Sequence, residues 1–219
     1  MTRRALVAAA VLLAATACTR VDRLLERSPS PHPQAGAWAQ QRDLWTTKAS
    51  IYDGLSMRVL ATATYQAPEL RRERAERTAE WKAMTPAERE SLVAAEEAEL
   101  SSFDDFVVSM TTSDSNDNDL DSPRTDWRVA LVPDNGGTER LASSISEIRP
   151  DALLRTLYPA IGDFDVVYRV RFERPDDEQT WARPFTLRIA GPRGRLDFPF
   201  GAAEAGADGA PNAAAPAAE

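Results

Sequence analysis

The sequence predicts a mainly β protein, an antiparallel β-sandwich that carries an insertion of two helices. Apolar and polar residues alternate with a period of two along most of residues 38–200, which is typical of strands with one buried face. Strands and helices do not alternate as βαβ units, which argues against a parallel sheet. One stretch, at about residues 67–101, is instead rich in Glu, Arg and Ala and favours helices.

The composition limits the classes of function. The chain has 219 residues, of which 43% are hydrophobic, so one domain with appendages can bury a core. It has 34 Asp and Glu against 26 Lys and Arg, without a basic cluster, so a nucleic-acid partner is not expected. A single cysteine cannot form an internal disulfide, so stability must come from packing.

Residues 1–17 have the features of a secretory signal peptide. Arg3 and Arg4 precede an apolar run from Ala5 to Ala15, and small residues follow it. This run is too short to span a hydrocarbon core that needs about 20 residues. Residues 2–6 also resemble a twin-arginine export signal, which is an alternative route out of the cytoplasm.

The stretch Ala15-Thr16-Ala17-Cys18 contains the only cysteine of the chain and resembles the lipobox of bacterial lipoproteins. The family usually has leucine where this chain has Ala15. The resemblance implies cleavage before Cys18, a covalent lipid such as palmitate on its sulfur, no other cofactor, and attachment to a membrane of the cell envelope. Thr19 stands where an inner-membrane lipoprotein often has aspartate, which favours the outer membrane. The alternative is an ordinary signal peptide with a cysteine near its end.

Two segments flank the predicted body. Residues 18–37 form the lipidated N-terminus and a tether, in which alternating prolines from Ser28 to Pro33 favour an extended spacer. Residues 201–219 consist mainly of Ala, Gly, Pro and acidic residues without periodicity and predict a disordered tail. The sandwich is therefore expected over residues 38–200. Residues 149–159 resemble uncharacterised strand-rich bacterial lipoproteins, which implies no particular activity.

Eight strands are expected in the body. Their apolar faces are Trp45 to Ile51; Leu55 to Tyr65; Phe106, Val108 and Met110; Trp127, Val129 and Leu131; Leu141 to Ile148; Phe164 to Phe172; Phe185, Leu187 and Ile189; and Leu196, Phe198 and Phe200. The immunoglobulin-like arrangement is one form of such a sandwich, although the cysteine pair of antibody domains is absent.

Two turns predict a strand register. A three-residue loop at Tyr52-Asp53-Gly54 would pair Ile51 with Leu55 and align the apolar faces of both strands. A two-residue loop would shift the pairing by one residue and disrupt this face. The loop Gly191-Pro192-Arg193-Gly194 would place Ile189 beside Leu196 and Phe185 beside Phe200.

The helical stretch divides at Thr85-Pro86-Ala87-Glu88, which is typical of an N-cap, a proline at the first helical position and a capping box. Two helices are expected, at about 68–83 and 86–100, the first with many charge pairs within the helix. A short helix from Pro150 to Tyr158 should turn Leu153, Leu154 and Leu157 towards the core.

The acidic loop, residues 113–121, is the densest polar segment. Asp114, Asn116 and Asn118 occupy the first, third and fifth places of an EF-hand-like loop, and their oxygens suit calcium. However, Asp119 stands where such a loop requires glycine, and Thr125 stands where it requires glutamate. The alternative is a solvated loop whose Asp, Asn and Ser residues serve turn chemistry.

No catalytic motif is present. The chain lacks a Gly-x-Ser-x-Gly elbow, a glycine-rich phosphate loop, a dinucleotide fingerprint and a Cys/His zinc pattern, and its single histidine, His32, lies in the tether. A glycosidase would need two carboxyl groups facing each other across a cleft, which sequence spacing cannot reveal. The chain is therefore expected not to be an enzyme.

The remaining binding candidates are basic and aromatic. Arg169 and Arg171 alternate on one strand and could form a basic stripe with Arg188 and Arg195; alternatively they pair with Asp165, Glu173 and Asp197 on neighbouring strands. Trp81 and Trp181 lie outside the predicted core faces and are candidates for ligand contact.

The leading hypothesis is a non-enzymatic envelope lipoprotein that binds another envelope protein through the insertion or a sandwich edge. The alternative is a small-ligand or calcium-binding module that uses the acidic loop.

Overall fold

The structure is a computed structural model that describes residues 37–175 and 180–201. The predicted signal peptide, Cys18, the tether and nearly all of the predicted tail lie outside these residues. The helices are α1 (Ala37–Leu44), α2 (Pro68–Trp81), α3 (Pro86–Ser102) and α4 (Ala152–Leu157). The strands are β1 (Thr46–Asp53), β2 (Ser56–Tyr65), β3 (Phe103–Thr112), β4 (Arg128–Pro133), β5 (Arg140–Leu141), β6 (Ser144–Ile148), β7 (Val166–Glu173), β8 (Phe185–Gly191) and β9 (Gly194–Phe200).

The predicted antiparallel sandwich is confirmed. One sheet has the order β1-β2-β3-β7-β6, the other has the order β5-β4-β8-β9, and every strand pair is antiparallel. The sheets approach each other where β1 lies beside β9, and the Thr47 hydroxyl donates to the Pro199 carbonyl at 3.0 Å. On the opposite side, the chain passes from β5 of one sheet directly to β6 of the other.

The core lies between the two sheets and is largely aromatic. Tyr65 and Phe106 project from the five-stranded sheet, and Phe185 and Phe200 project from the other. Ring centroids of Tyr65 and Phe185 are 5.1 Å apart, and those of Phe185 and Phe200 are 5.3 Å apart. Such ring pairs add roughly 0.5–1.5 kcal/mol beyond the burial of their area.

Helices cover the outer face of the five-stranded sheet. Val107 and Val167 alternate with core residues along β3 and β7, so they point away from the other sheet, yet both are buried. Trp38 of α1 and Tyr158 after α4 are also buried, and their ring centroids lie 6.0 Å apart in an edge-to-face arrangement. We assign these two residues to the layer that covers Val107 and Val167. The fold therefore has a helical layer on one sheet in addition to the sandwich core.

The predicted helical insertion is confirmed as α2 and α3, between β2 and β3. Thr85 caps α3 as expected: its hydroxyl accepts from the Glu88 backbone nitrogen at 3.4 Å, and the Glu88 carboxylate accepts from the Thr85 backbone nitrogen at 2.8 Å. Hydrogen bonds from the backbone and the hydroxyl of Thr85 lower the pKa of Glu88. In the described part of the chain, none of the helices is long and apolar enough to cross a bilayer.

The predicted register of the β8–β9 hairpin is confirmed. Ile189 pairs with Leu196, Leu187 with Phe198, and Phe185 with Phe200. Gly194 has φ +134°, and a Cβ atom at this position would lie 3.1 Å from Ile51, so the turn requires a glycine there.

The predicted register of the β1–β2 hairpin is wrong. Asp53 pairs with Ser56, so the turn contains only two residues, Gly54 and Leu55, and Gly54 has φ +59°. The register then shifts between Ile51 and Tyr52, so that Ile51 pairs with Val59. This irregularity adds one residue to β2 and restores the apolar face that a two-residue loop would otherwise disrupt.

Two other expectations need correction. The stretch from Leu141 to Ile148 is not one strand, because β5 and β6 belong to different sheets. Phe164 lies before β7 begins and is 89% exposed, so it does not share the core face of that strand. The predicted short helix is confirmed as α4, in which Leu157 is buried and Leu153 and Leu154 pack against the core.

Candidate functional site

A cluster of charged side chains joins the helical insertion to the outer face of the five-stranded sheet. We call it the insertion cluster; α2 and α3 supply its first four members and β3 and β7 the others. Its members are Arg71, Arg74, Glu96, Glu99, Asp105, Arg169 and Arg171.

Asp105 is the centre of the insertion cluster and is 2% exposed. Its Oδ2 atom accepts from Nη2 of Arg71 and from Nη2 of Arg169, both at 2.6 Å. Nε of Arg171 lies 3.1 Å from its Oδ1 atom. Three guanidinium groups therefore share one buried carboxylate, an arrangement that requires further negative charge nearby.

Glu96 and Glu99 of α3 supply that charge. Glu99 accepts from Arg169 and from Arg171, the latter at 2.8 Å, and Glu96 accepts from Arg74 and from Arg71, the latter at 3.1 Å. Burial acts to raise the pKa of Glu99, but the hydrogen bonds and positive charges of Arg169 and Arg171 outweigh it and lower the pKa. α3 has no fully buried residue, so these ion pairs are a major part of its attachment.

The predicted basic stripe does not form. Arg169 and Arg171 are occupied by Asp105 and Glu99, whereas Arg188 and Arg195 belong to the other sheet and pair with Asp197. The alternative of charge pairing is therefore the better description, although Arg169 and Arg171 pair with an inserted helix and β3 rather than with Asp165 and Glu173.

A second cluster lies at the other face of β3. Because side chains alternate along a strand, Asp104 points into the sandwich while Asp105 points out of it. The side chain of Asp104 is fully buried and accepts four groups: the hydroxyls of Tyr65 at 2.8 Å and Thr180 at 2.6 Å, and the guanidinium groups of Arg140 at 2.9 Å and Arg174 at 2.5 Å. We call these five residues the inter-sheet cluster.

The contacts within the inter-sheet cluster determine the protonation states of Asp104 and Tyr65. Burial acts to raise the pKa of Asp104, but hydrogen bonds from Arg174 and Thr180 outweigh it and lower the pKa. Burial and the adjacent carboxylate of Asp104 raise the pKa of Tyr65 well above its usual value. Asp104 therefore stays ionised and Tyr65 stays protonated at neutral pH, which suits a structural role better than proton transfer.

A cleft of about 720 Å³ opens beside the inter-sheet cluster. Its walls combine apolar residues, among them Leu131, Pro133 and Phe185, with polar residues such as Thr138 and Arg140. Arg140 is held at the wall by Asp104, by Thr180, and by the Glu173 carbonyl at 2.8 Å. The cleft can accept a small molecule or an extended peptide, but its wall offers no pair of free carboxyl groups among the described residues.

The acidic loop is organised by its own hydrogen bonds. Oδ1 of Asp114 accepts from the backbone and side-chain nitrogens of Asn116, each at 3.0 Å. The Asn118 amide donates to the Met110 carbonyl at 2.8 Å, and its oxygen accepts from the Tyr168 hydroxyl at 3.0 Å. Among the described residues, no three His, Cys, Asp or Glu side chains are gathered as a metal site. In this structure, Asp114 and Asn116 bond to each other within the loop, and Asn118 ties the loop to β3 and β7.

The remaining candidates are placed as follows. Trp81 is partly buried against the core, with the guanidinium carbon of Arg77 at 5.6 Å from its ring centroid, so it contributes to packing. The backbone of Trp181 lies in the short 3-10 helix Thr180–Ala182. Cys18 lies outside the described residues, and its lipidation stays a prediction.

The sequence reasoning missed both buried clusters. The available signal was the pair Asp104-Asp105 next to Phe103 and Phe106, within a stretch that otherwise alternates as a strand. Two adjacent carboxylates in such a strand require a cation on each face of the sheet. The partners Arg71, Arg140 and Arg174 are distant in sequence and could not be assigned to them.

Comparison of the chain with protein-family models, with curated proteins and with solved structures finds no significant match.

Proposed function

We propose that the chain is a bacterial lipoprotein, anchored in the cell envelope by a lipid on Cys18, whose β-sandwich is a non-catalytic interaction module. The observation that carries this proposal is the position of the only cysteine, directly after a basic start, an apolar run and small residues.

Acyl chains give the anchor its strength. Each buried CH₂ group contributes about 0.8 kcal/mol, so that one chain binds marginally and two or three hold the protein stably. The prolines between Ser28 and Pro33 favour an extended spacer between the anchor and the folded body, which begins near Ala37. This organisation presents the sandwich to partners in the aqueous compartment beside the membrane.

Two observations support a non-catalytic role. Asp104 and Asp105 of β3 are both buried, and each carboxylate is paired with guanidinium groups. Neither carboxylate is therefore available to act on a substrate. The only histidine of the chain lies in the tether. A protein partner in the envelope is therefore a better proposal than a substrate.

The residue after the cysteine indicates which membrane of the envelope holds the anchor. Thr19 is not the aspartate that retains some lipoproteins in the inner membrane, so we place the anchor in the outer membrane. The proposal includes palmitate or a similar acyl group as the covalent modification and no separate cofactor.

Replacing Cys18 with alanine is expected to abolish labelling by radioactive palmitate and to remove the protein from the membrane fraction. The physical reason is the loss of all acyl chains, in which each CH₂ group contributes about 0.8 kcal/mol when buried in the bilayer. Fractionation and labelling of whole cells measure both effects. Thr19→Ala is the matched control and should leave labelling and membrane attachment unchanged. A Cys18→Ala variant that stays membrane-bound, with a wild-type chain that takes up no label, would refute the anchor.

A further inference from the structure

Large apolar side chains are exposed at one end of the five-stranded sheet. Tyr52 and Leu55 lie at the β1–β2 turn and are 57% and 103% exposed. Leu60 of β2 is 46% exposed, and Phe164 before β7 is 89% exposed. Several large apolar side chains exposed at the same end of a sheet indicate an interaction site more strongly than a single exposed leucine does.

The strand register places these four residues at the same end. Leu60 pairs with Thr111 of β3, and Val59 pairs with Thr112. Met110 pairs with Val166 of β7, so Phe164, two residues earlier, is level with Thr112. Adjacent strands are about 4.8 Å apart, so β2 and β7 are separated by roughly 10 Å at this level. The β1–β2 turn extends beyond it. We call this surface the apolar end.

The backbone holds Phe164 and Leu55 in these exposed positions. The Asp165 carboxylate accepts from the Gly162 backbone nitrogen at 2.8 Å and from the Thr111 hydroxyl, which ties the Phe164 segment to β3. Leu55 is the second of two turn residues, a place where asparagine, aspartate or glycine is usual. Both residues lie in turns, where polar residues are usual, and both side chains are outside the core, so the apolar side chains point to a binding role.

Carboxylates surround the apolar end. Asp53 and Asp163 have side chains 71% and 91% exposed. The acidic loop starts beside β2, where the Ser113 backbone nitrogen donates to the Arg58 carbonyl at 2.8 Å, and its residues Asp114 and Asp121 are exposed. Four of the cations at this end are already paired: Arg58 with Asp53, Arg155 with Asp163, Arg193 with Asp117, and Arg195 with Asp197. A fifth, Arg124, is exposed just after the acidic loop. The acidic loop contributes further carboxylates, at Asp119 and Asp121, so negative charge is in excess.

We propose that the apolar end docks a polypeptide segment that combines basic with apolar side chains. The argument is charge complementarity: apolar contacts to Leu55 and Phe164 would supply affinity, and Lys or Arg of the partner would meet the carboxylates at the rim. An anionic membrane surface is a poorer occupant because the same carboxylates would repel it. This inference rests on the proposed function and identifies the partner-binding surface of the interaction module.

Photocrosslinking in the native cells tests the proposal. A benzophenone amino acid is introduced separately at Leu55 and at Phe164 of the full chain, and at Glu97, an exposed residue of the insertion, as the positional control. We expect the same polypeptide adduct from positions 55 and 164 and not from 97, and mass spectrometry should map the crosslink to a segment containing Lys or Arg. The double variant Asp53→Lys/Asp163→Lys should lower the adduct yield at least about fivefold. The matched variant Glu90→Lys/Glu97→Lys should leave it unchanged.

Four outcomes would overturn the proposal: adducts with phospholipid only, adducts with a second copy of this chain, a crosslinked segment without basic residues, or a yield insensitive to the Asp→Lys changes. The lipid anchor is scored separately by fractionation. A chain that is found unanchored but still gives the specific adduct would refute the anchor and leave the docking surface intact.

Discussion

The Asp105→Asn variant is expected to lose about 3–5 kcal/mol of the free energy of unfolding, the range measured when one partner of a buried ion pair is removed. Asn keeps the size of the side chain but removes the negative charge. Arg71, Arg169 and Arg171 would then face one another around a neutral group, with only Glu96 and Glu99 to compensate. Urea denaturation followed by circular dichroism measures the loss.

The control for this variant is Glu97→Gln. Glu97 also pairs with an arginine between α2 and α3, Arg72 at 3.1 Å, but both side chains are more than half exposed. Exposed pairs contribute roughly 0–1 kcal/mol, so this variant should be almost as stable as the wild type. Arg71→Met should be less costly in the Asp105→Asn background than alone, because Arg71 has then lost its buried partner. Equal losses for Asp105→Asn and Glu97→Gln would show that the insertion cluster does not hold the helices.

The Asp104→Ala variant is expected to lose a similar amount, about 3–5 kcal/mol, for a different reason. It removes the common acceptor of Arg140 and Arg174 and of the Tyr65 and Thr180 hydroxyls, inside the sandwich. The effect should appear as a lower melting temperature of the whole domain, and Asp43→Ala, whose side chain is 69% exposed, should leave that temperature nearly unchanged. A wild-type melting temperature in Asp104→Ala would contradict the assignment.

The stabilisation by Asp104 should also depend on pH. The folded protein lowers the pKa of this carboxyl below its usual value, so the unfolded state binds a proton more readily. The contribution is therefore fully present above the unfolded pKa, near 4, and is lost as the pH falls through the folded pKa. The stability difference between the wild type and Asp104→Asn should accordingly begin to shrink as the pH falls below about 5, and it should continue to shrink until the pH passes the folded pKa.

Local sequence rules explain the elements that were predicted well. Along β8 and β9, apolar and polar residues alternate, so the apolar residues of both strands share one face only in a register that pairs Leu187 with Phe198. The glycines at the turn permit this register. The start of α3 follows from side-chain groups only three residues apart, Thr85 and Glu88. Both features depend on neighbours in sequence, which is why a single sequence suffices.

Long-range pairing explains the failures. The β1–β2 register requires an irregularity at Arg58, and no local pattern distinguishes it from a longer loop.

The arginines of α2 suggested charge pairs within the helix, but Arg71 and Arg74 reach Glu96 of α3, more than 20 residues away. Arg169 and Arg171 pair with Glu99 in the same way. Which of many carboxylates meets a given arginine depends on the packing of whole elements.

The most direct test of the account is the mass of the mature N-terminal peptide, isolated from the membrane fraction of cells that produce the full chain. The account predicts a chain that starts at position 18, with Cys18 heavier than an unmodified cysteine by a diacylglyceryl group and its acyl substituents. A free thiol on Cys18, whether in an uncleaved chain or in a product released from the membrane, would contradict it.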